Sequence, residues 1–271
     1  MGDVPWQEYP RPQMKRNSYL CLNGEWEFAV SETEPQTFDR TIRVPFAPES
    51  LLSSIGECFP ESSALWYSRT FTLPEDFKKS RVLLHIGAAD QEATVFVNGT
   101  LVGEHRGGYQ PFSLDITAFL QEQNTVVIRV TGHLSELVLP YGKQCHKRGG
   151  MWYTPISGIW STVWLEEVPQ NYIKSIKITP DLIGFDIEVL GGCQQKTIKI
   201  QNKEYTFCGE HIRIDIESPE YWSPENPKLY DFQLLSGDDK ISSYCALRTI
   251  NIEKGKICLN GKPYFFNGVL D

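Results

Sequence analysis

The sequence predicts an all-β protein made of two successive β-sandwiches, and three observations support this class. Short apolar or alternating runs recur between Gly, Pro and Asn breaks along the whole chain. Helical signals are weak, and the best of them is residues 115–120, where Asp115 is suited to cap a single turn. The length of 271 residues exceeds one typical domain, which makes two domains the first expectation.

The first unit is predicted to be a jelly-roll sandwich spanning residues 1–168. Its end is marked near Val168, where a strand gives way to Pro169-Gln170-Asn171, a break typical of a linker. Asn98-Gly99 suits a two-residue hairpin turn, because type I′ turns need left-handed conformations at both positions. With Thr100 these residues also match a glycosylation sequon, but the absence of a signal-peptide pattern favours the turn. The strands expected in this unit are 26–30, 68–73, 82–86, 93–97 and 125–130.

The second unit is predicted to be an immunoglobulin-like sandwich spanning residues 169–249. From Tyr172 onward the strands show a cleaner two-residue alternation, as in 175–178 and 212–216, and they end near Arg248. About 80 residues of such strands are enough for one small sandwich of this kind.

Residues 250–271 are predicted to begin a TIM barrel. After a turn at 260–263, the run Tyr264–Leu270 is almost continuously apolar, which is typical of a strand buried on both faces of a parallel sheet. Such a strand needs neighbours for its backbone groups, so we expect a missing barrel domain to follow Asp271. The alternative is that this run extends a sheet edge of the preceding sandwich.

The composition disfavours several classes of function. With 26 Lys and Arg against 34 Asp and Glu, the net charge of −8 disfavours nucleic acid and anionic membranes as partners. The N-terminus lacks a signal-peptide pattern, and no run approaches the ~18 apolar residues of a membrane span. The seven cysteines are scattered without a C-x-x-C pair, so we expect reduced thiols and a cytoplasmic location. We assign no metal site and expect no cofactor; a metal ion on acidic loops of the jelly-roll surface stays an alternative that the sequence does not locate.

Other chemistries lack their motifs. His85, His105 and His133 have no Ser or Cys partner in a recognisable nucleophile motif, and no phosphate-binding glycine loop occurs. Cys145-His146 is only half a metal site, because adjacent side chains point apart and no second pair accompanies them. Triad hydrolysis, nucleotide chemistry and zinc binding are therefore disfavoured.

Several segments resemble the family 2 glycoside hydrolases, the group of β-galactosidases, β-glucuronidases and β-mannosidases. The resemblance covers nearly the whole chain, with the segments in family order. Segments similar to the sugar-binding jelly roll are Leu22–Phe28, Trp66–Phe71, Phe96–Gly99 with Gly103, Gly107–Phe112 with Asp115–Thr117, and Ser157–Trp160. Trp222–Tyr230 resembles the hallmark of the immunoglobulin-like domain, and Leu259–Pro263 with Asn267–Val269 resembles the entry into the (β/α)8 barrel.

The resemblance implies a retaining glycosidase that hydrolyses O-glycosidic bonds of β-glycosides, β-galactosidase-like in reaction type. Its two catalytic carboxyl groups must lie ~5–5.5 Å apart. In the family both are glutamates on later barrel strands, so we expect them beyond Asp271 and assign no catalytic residue to this chain. The implied partners are a carbohydrate substrate, the chain's own barrel domain and a second copy of the chain.

One departure limits what the resemblance implies about specificity. Relatives with β-galactosidase or β-glucuronidase activity commonly carry an aspartate shortly before the Ser-Gly-Ile type segment, on a loop that reaches the active site. Residues 147–153 of this chain read Lys-Arg-Gly-Gly-Met-Trp-Tyr and contain no acid. Specificity for galactose or glucuronate is therefore not implied.

The connection 132–160 is the most informative segment, because ordered loops longer than ~12–15 residues are uncommon and often functional. Aromatic rings pack on the C–H faces of sugars, while amide and cationic groups donate to their hydroxyls. The alternative is a solvated loop whose aromatic residues plug the end of the sandwich. The residues predicted to bind substrate are Lys143, Gln144, Trp152 and Tyr153 in this loop, and Asp271 at the end of the presumed barrel strand.

The remaining tryptophans are predicted to lie mostly in the core, since they alternate with polar residues as inward-facing strand positions do. They are Trp26, Trp66, Trp160, Trp164 and Trp222. Two hypotheses compete with a glycosidase fragment. One is a self-contained carbohydrate-binding module, because jelly rolls are common lectin platforms, and the other is an assembly module.

Overall fold

The computed structural model describes residues 4–77, 80–132 and 139–269, and within them the prediction of an all-β sandwich protein is confirmed. The described residues contain no α-helix. Three short 3-10 turns occur at Pro12–Met14, Leu51–Ser53 and Thr117–Phe119. The last of these is the predicted turn near 115–120, and its Thr117 amide donates to Asp115 Oδ1 over 3.0 Å.

The chain divides into two compact units, which are not contiguous in sequence. The first contains residues 4–10 and 18–168, and the second contains residues 11–17 and 169–269. Residues 11–17 join the second unit through Lys15, whose backbone N–H and C=O both pair with Ser242.

The first unit is a sandwich of two antiparallel sheets around one core. One sheet has the strand order β3-β2-β4-β10-β7-β8, and the other has the order β1-β12-β5-β9; β6 and β11 form a separate two-stranded pair. The strands are β1 (Tyr19–Cys21), β2 (Gly24–Val30), β3 (Arg40–Val44), β4 (Leu65–Phe71), β5 (Arg81–Ile86), β6 (Ala89–Asp90), β7 (Glu92–Val97), β8 (Thr100–Arg106), β9 (Phe112–Asp115), β10 (Asn124–Thr131), β11 (Gly158–Ile159) and β12 (Val163–Val168).

The alternation of apolar residues places one face of each long strand in this core. In β10 the side chains of Val126, Ile128 and Val130 are buried, and those between them are half-buried. The predicted hairpin turn at Asn98-Gly99 is confirmed: both residues have positive φ, and Val97 pairs directly with Thr100. Of the five tryptophans expected in the core, Trp26, Trp66 and Trp164 are buried, whereas Trp160 and Trp222 are half-buried.

The second unit is a sandwich of a three-stranded sheet, β13-β14-β17, and a four-stranded sheet, β16-β15-β18-β19. The seven strands form an immunoglobulin-like sandwich in which the fourth strand, β16, pairs with the third, β15, and not with the sheet of β13, β14 and β17. Phe185 and Phe232, from opposite sheets, stack with centroids 5.8 Å apart in its core. The strands are β13 (Ile173–Pro180), β14 (Gly184–Gly191), β15 (Gln195–Ile200), β16 (Lys203–Cys208), β17 (His211–Asp215), β18 (Tyr230–Ser236) and β19 (Asp239–Cys245).

The tail contains a small antiparallel sheet of β20 (Ile250–Glu253), β21 (Lys256–Leu259) and β22 (Lys262–Pro263). The strand expected over 264–270 is not formed in residues 264–269, whose apolar side chains are largely exposed; Val269 is 95% exposed. A strand that is buried on both faces needs neighbouring strands to pair with its backbone N–H and C=O groups. The described residues provide no such strands at this segment. It does not extend a sandwich edge either. The barrel stays a prediction, and Asp271 lies outside the described residues.

Candidate functional site

The predicted substrate loop doubles back on itself in a hairpin-shaped course, closed at its base by a parallel bridge between Gln144 and Tyr153 rather than by antiparallel strand pairing. The Tyr153 amide donates to the Lys143 carbonyl over 2.7 Å, and the Cys145 amide donates to the Tyr153 carbonyl over 3.2 Å. At the tip, the Trp152 amide donates to the Gly149 carbonyl over 3.1 Å. Gly149 and Gly150 both have positive φ, which glycine adopts at little cost. Residues 133–138 of the predicted loop lie outside the described part of the chain.

Three of the predicted substrate residues are exposed on this hairpin, which we call the loop hairpin (residues 139–157). Lys143 is exposed, and Trp152 and Tyr153 are 41% and 56% exposed beside the exposed Met151. Two aromatic rings and one ammonium group on one short segment are a suitable surface for a sugar ring. The described residues in this hairpin include no Asp or Glu.

Gln144, the fourth predicted residue of the loop, is buried beneath the hairpin. Its Nε2 donates to the Tyr109 hydroxyl over 3.1 Å, and its Oε1 accepts from the Ile156 amide over 2.6 Å. Tyr109 in turn packs edge-to-face against Trp160, with centroids 5.6 Å apart. Gln144 therefore holds the base of the hairpin to the sandwich, whereas its three neighbours face outward.

Below Gln144 lies Asp90, the last residue of β6. Its side chain is only 2% exposed, and its Oδ1 has no hydrogen-bond partner among the described residues. Burial first, and then the nearby charge of Glu49, raise the pKa of this carboxyl to about 7, although a hydrogen bond from Gln144 opposes the shift. A Cβ at Gly108 would lie 2.4 Å from this Oδ1, so the backbone of Gly108 packs closely against the carboxyl and a larger residue there would clash with it.

Glu49 is the second acid of the site and is half-buried. Its Oε1 accepts from the Ser157 hydroxyl over 2.6 Å, and its Oε2 accepts from the Ser157 amide over 3.1 Å. Burial raises the pKa of Glu49, although these hydrogen bonds oppose the rise. The buried Tyr67 hydroxyl also has a raised pKa, because of burial first and the field of Glu49 second.

Asp90 and Glu49 line a cavity of ≈ 60 Å³ at the base of the loop hairpin. The other polar residues of its wall are Cys58, Glu61, Ser63, Gln91, His146 and Ser157. The imidazole of His146 lies 2.7 Å from Glu61 at this wall. Sites that enclose a small molecule usually measure about 300–1,000 Å³. The cavity is therefore too small for a sugar ring.

Sequence reasoning missed Asp90 and Glu49, which lie in different segments and match no motif. The only signal was an acid at Asp90 within the otherwise apolar run before β7. Tyr109 was not among the predicted site residues either, yet its hydroxyl accepts a hydrogen bond from the predicted residue Gln144.

His85 has a serine partner that no motif indicated. Its Nδ1 lies 2.6 Å from Ser113 Oγ, and its Nε2 lies 3.1 Å from Glu166 Oε2. The ring is buried and stacked on Trp164, with centroids 4.8 Å apart. The chain of bonds crosses neighbouring strands β9, β5 and β12, and we interpret it as a buried polar network of the sheet face.

Other site types receive no support within the described residues. They contain no group of three or more His, Cys, Asp and Glu side chains placed to hold a metal ion. All seven cysteines are free. No helix that the structure describes has the length and apolar character required to cross a membrane.

Comparison with known proteins gives matches to two family models. Residues 54–169 match "Glycosyl hydrolases family 2, sugar binding domain", and residues 169–246 match "Glycosyl hydrolases family 2". Among curated relatives, a β-galactosidase of Thermoanaerobacter pseudethanolicus is 26% identical over 75% of this chain and 31% of its own length. A β-glucuronidase of Rattus norvegicus is 28% identical over 97% of this chain and 48% of its own length.

Solved structures agree with this fold. The β-glucuronidase from Ruminococcus gnavus in complex with D-glucuronic acid superposes with a TM-score of 0.74 at 20% identity, over 96% of this chain and 51% of that one. The Faecalibacterium prausnitzii β-glucuronidase also gives 0.74, at 22% identity. The chain spans between about a third and a half of the length of these relatives.

Proposed function

This chain belongs to glycoside hydrolase family 2 and corresponds to the N-terminal part of its β-glycosidases, and from that premise we propose that it serves a retaining β-glycosidase as scaffold and donor of a substrate-contacting loop. The catalytic carboxyl pair would lie in a barrel encoded after Asp271. The substrate would be a β-glycoside, with a reaction of the β-galactosidase type.

The observation that carries this proposal is the division of roles within the loop hairpin. Gln144 is tied to Tyr109 and to the Ile156 amide, so the base of the hairpin is held in place. Lys143, Trp152 and Tyr153 remain exposed for a ligand. A pre-positioned aromatic and cationic surface reduces the ordering cost of binding a sugar.

Catalysis provides the first test. The 271-residue chain is incubated with 4-nitrophenyl β-galactoside, β-glucuronide and β-mannoside, and we expect no turnover above buffer. Turnover that scales with the concentration of pure chain would contradict a non-catalytic role. Reading the gene past the codon for Asp271 tests the other half: about 250 or more further residues of alternating strand and helix support a barrel, and an immediate stop codon removes the catalytic proposal.

The loop is tested in the product of the complete reading frame. Trp152→Ala and Lys143→Ala should each raise KM several-fold, because they remove contacts made to the bound sugar. The matched control is Leu190→Ala, which removes an exposed apolar side chain in the second unit and should leave KM unchanged. Equal effects of all three variants would count against a contact role for the loop.

A second candidate function is stand-alone carbohydrate binding, which the exposed Trp152 and Tyr153 favour. It requires the 271-residue chain to bind a free sugar in calorimetry and to lose that binding in Trp152→Ala. Assembly between copies of the chain is tested by light scattering at several concentrations, where a strict monomer would exclude it. The seven free cysteines support a proposed cytoplasmic location, which fractionation of source cells would check.

A further inference from the structure

The loop hairpin carries a local excess of positive charge in an acidic chain. It contains Lys143, Lys147 and Arg148 and no Asp or Glu, whereas the whole chain has a net charge of −8. The side chains of all three cations are exposed. The positive charge therefore coincides with the segment whose aromatic residues are proposed to contact a sugar.

These three cations have no carboxylate partner within the chain. Among the described residues, no Asp or Glu forms an ion pair with Lys143, Lys147 or Arg148. Exposed lysines of the second unit behave differently. Lys199, for example, pairs across neighbouring strands with Glu204, with Nζ and Oε1 2.6 Å apart.

The acids in the cavity at the base of the hairpin do not pair with this charge. Glu61 contacts His146, with Oε1 and Nε2 2.7 Å apart, and both oxygens of Glu49 accept hydrogen bonds from Ser157. Asp90 is buried. The exposed cations of the hairpin thus remain available for a negatively charged partner from outside the chain.

The backbone of the hairpin places each exposed aromatic residue next to a cation. The Tyr153 amide donates to the Lys143 carbonyl over 2.7 Å, and the Trp152 amide donates over 3.1 Å to the carbonyl of Gly149, which follows Arg148. Charges that only keep a surface soluble need no exposed aromatic rings beside them, yet Trp152 and Tyr153 are 41% and 56% exposed. Aromatic rings that pack on a sugar and cations that bind its acidic groups are the two components of a surface for acidic sugars.

We propose that the loop hairpin binds an acidic oligosaccharide, whose carboxylate or sulfate groups contact Lys143, Lys147 and Arg148. A sugar ring packs on Trp152 and Tyr153. The planar donors of an arginine suit carboxylates and similar oxyanions, which they bind through two parallel hydrogen bonds. Three cations favour an oligosaccharide with several acidic groups over a single acidic sugar, and the net charge of −8 disfavours nucleic acid, another polyanion. That this oligosaccharide is the substrate rests on the proposed function, whereas its binding needs residues of this chain alone.

Calorimetric titration of the 271-residue chain with matched oligosaccharides tests the role of charge. The probes are an unsulfated chondroitin tetrasaccharide, the same tetrasaccharide with its carboxylates reduced to alcohols, and its sulfated form. We expect both acidic probes to bind at least about ten-fold more tightly than the reduced one, and an increase from about 50 to about 500 mM NaCl to remove most of that difference. Tighter binding of the sulfated probe than of the unsulfated one assigns the preference to sulfate, and equal binding of the two assigns it to carboxylate.

Paired variants locate the contact. Lys147→Gln combined with Arg148→Gln removes two exposed charges from the hairpin and should weaken binding of the unsulfated chondroitin tetrasaccharide about five- to ten-fold. The matched control combines Lys174→Gln with Lys240→Gln, two exposed lysines of the second unit, and it changes the net charge equally. It should bind as the parent chain does. Equal weakening by the two double variants would mean that net charge and not the hairpin attracts the oligosaccharide, which overturns the proposal.

Two further outcomes contradict the proposal. One is equal affinity for the acidic and the carboxyl-reduced tetrasaccharide, and the other is the absence of binding by all three probes at about 10 mM, weaker than the millimolar range. The proposed function has separate tests, which are the reading frame beyond Asp271 and the KM of Trp152→Ala. Failure of the charge dependence is therefore distinguishable from failure of the glycosidase role.

Discussion

In the second unit the buried acid Asp239 faces a buried arginine, whereas in the first unit the buried Asp90 shares a cavity wall with a second acid, the half-buried Glu49. Arg16 and Asp239 form a two-pronged pair, with Nε–Oδ1 and Nη2–Oδ2 distances of 2.8 Å each. Nη2 also donates to the Ile173 carbonyl over 2.7 Å, and the Ile173 amide donates to Asp239 Oδ2 over 2.8 Å. The two charges neutralise each other, and most of their hydrogen-bonding groups have partners within the second unit.

The difference separates a buried charge that is fully paired from a buried acid whose Oδ1 has no hydrogen-bond partner among the described residues. A buried pair with complete hydrogen bonding fixes how segments meet and has no capacity left for binding. Two like charges at one cavity oppose folding unless a proton or a cation joins them. In the first unit the two acids lie beneath the loop hairpin, and acids with perturbed pKa values are often found at functional sites.

The largest expected effect comes from breaking the satisfied pair. Asp239→Ala leaves the Arg16 guanidinium buried without its counter-charge, which should lower the free energy of unfolding by about 3–5 kcal/mol. Urea denaturation followed by circular dichroism measures this. A loss below about 1 kcal/mol, the value typical of an exposed pair, would show that water reaches Arg16 and that the two units do not differ as described.

A smaller effect of opposite sign is expected at the unsatisfied acid. In chelated, sodium-free buffer at pH 8, Asp90→Asn should raise the free energy of unfolding by about 1–3 kcal/mol. The reason is that Asp90 has a folded pKa of about 7 against an ordinary value of 3.8, so above pH 7 the folded state carries a penalised charge. The gain should shrink as the pH falls from 8 and vanish near the ordinary pKa. A destabilised variant at pH 8 would mean that the carboxylate has a partner in solution.

The sandwiches themselves could be predicted from local pattern. Alternation along β10 indicates which face is buried, and Asn98-Gly99 encodes its turn through backbone conformation. Neither signal depends on distant residues. The tail could not be predicted in the same way, because the apolar run 264–270 needs neighbouring strands that the described residues do not supply.

The candidate site was predicted only in part, because its contacts join residues that lie far apart in the sequence. Composition indicated a ligand-binding loop, and Trp152 and Tyr153 are exposed there. Whether Gln144 faces a ligand or the sandwich depends on Tyr109, which lies on another segment. The Arg16–Asp239 pair joins residues 223 positions apart, and no sequence pattern specifies such a contact.

Asp181 in the second unit is a partly exposed acid whose pairing depends on pH. Hydrogen bonds from Arg213 and from the Ile183 and Gly184 amides lower the pKa of Asp181 to about 2. Because the folded pKa is depressed, Asp181 contributes stability above its ordinary pKa and loses it as the pH falls toward 2. Asp181 is 45% exposed, so screening limits the effect to about 1 kcal/mol or less. Denaturation at pH 5 should give a higher free energy of unfolding for the parent chain than for Asp181→Asn. At pH 2 the two free energies should converge.

The smallest effect is expected where charge is paired but not buried. Lys177 and Glu188 lie directly opposite each other on β13 and β14, with Nζ and Oε1 2.7 Å apart, and both side chains are exposed. Since water solvates both groups with or without the pair, a double-mutant cycle of Lys177→Ala and Glu188→Ala should give a coupling of about 0.5 kcal/mol or less, which 1 M NaCl screens out. This pair has a distance as short as the Arg16–Asp239 pair. A coupling above about 2 kcal/mol, beyond the range for exposed pairs, would mean that geometry and not burial sets the value of an ion pair here, and the contrast between Asp239 and Asp90 would need another cause.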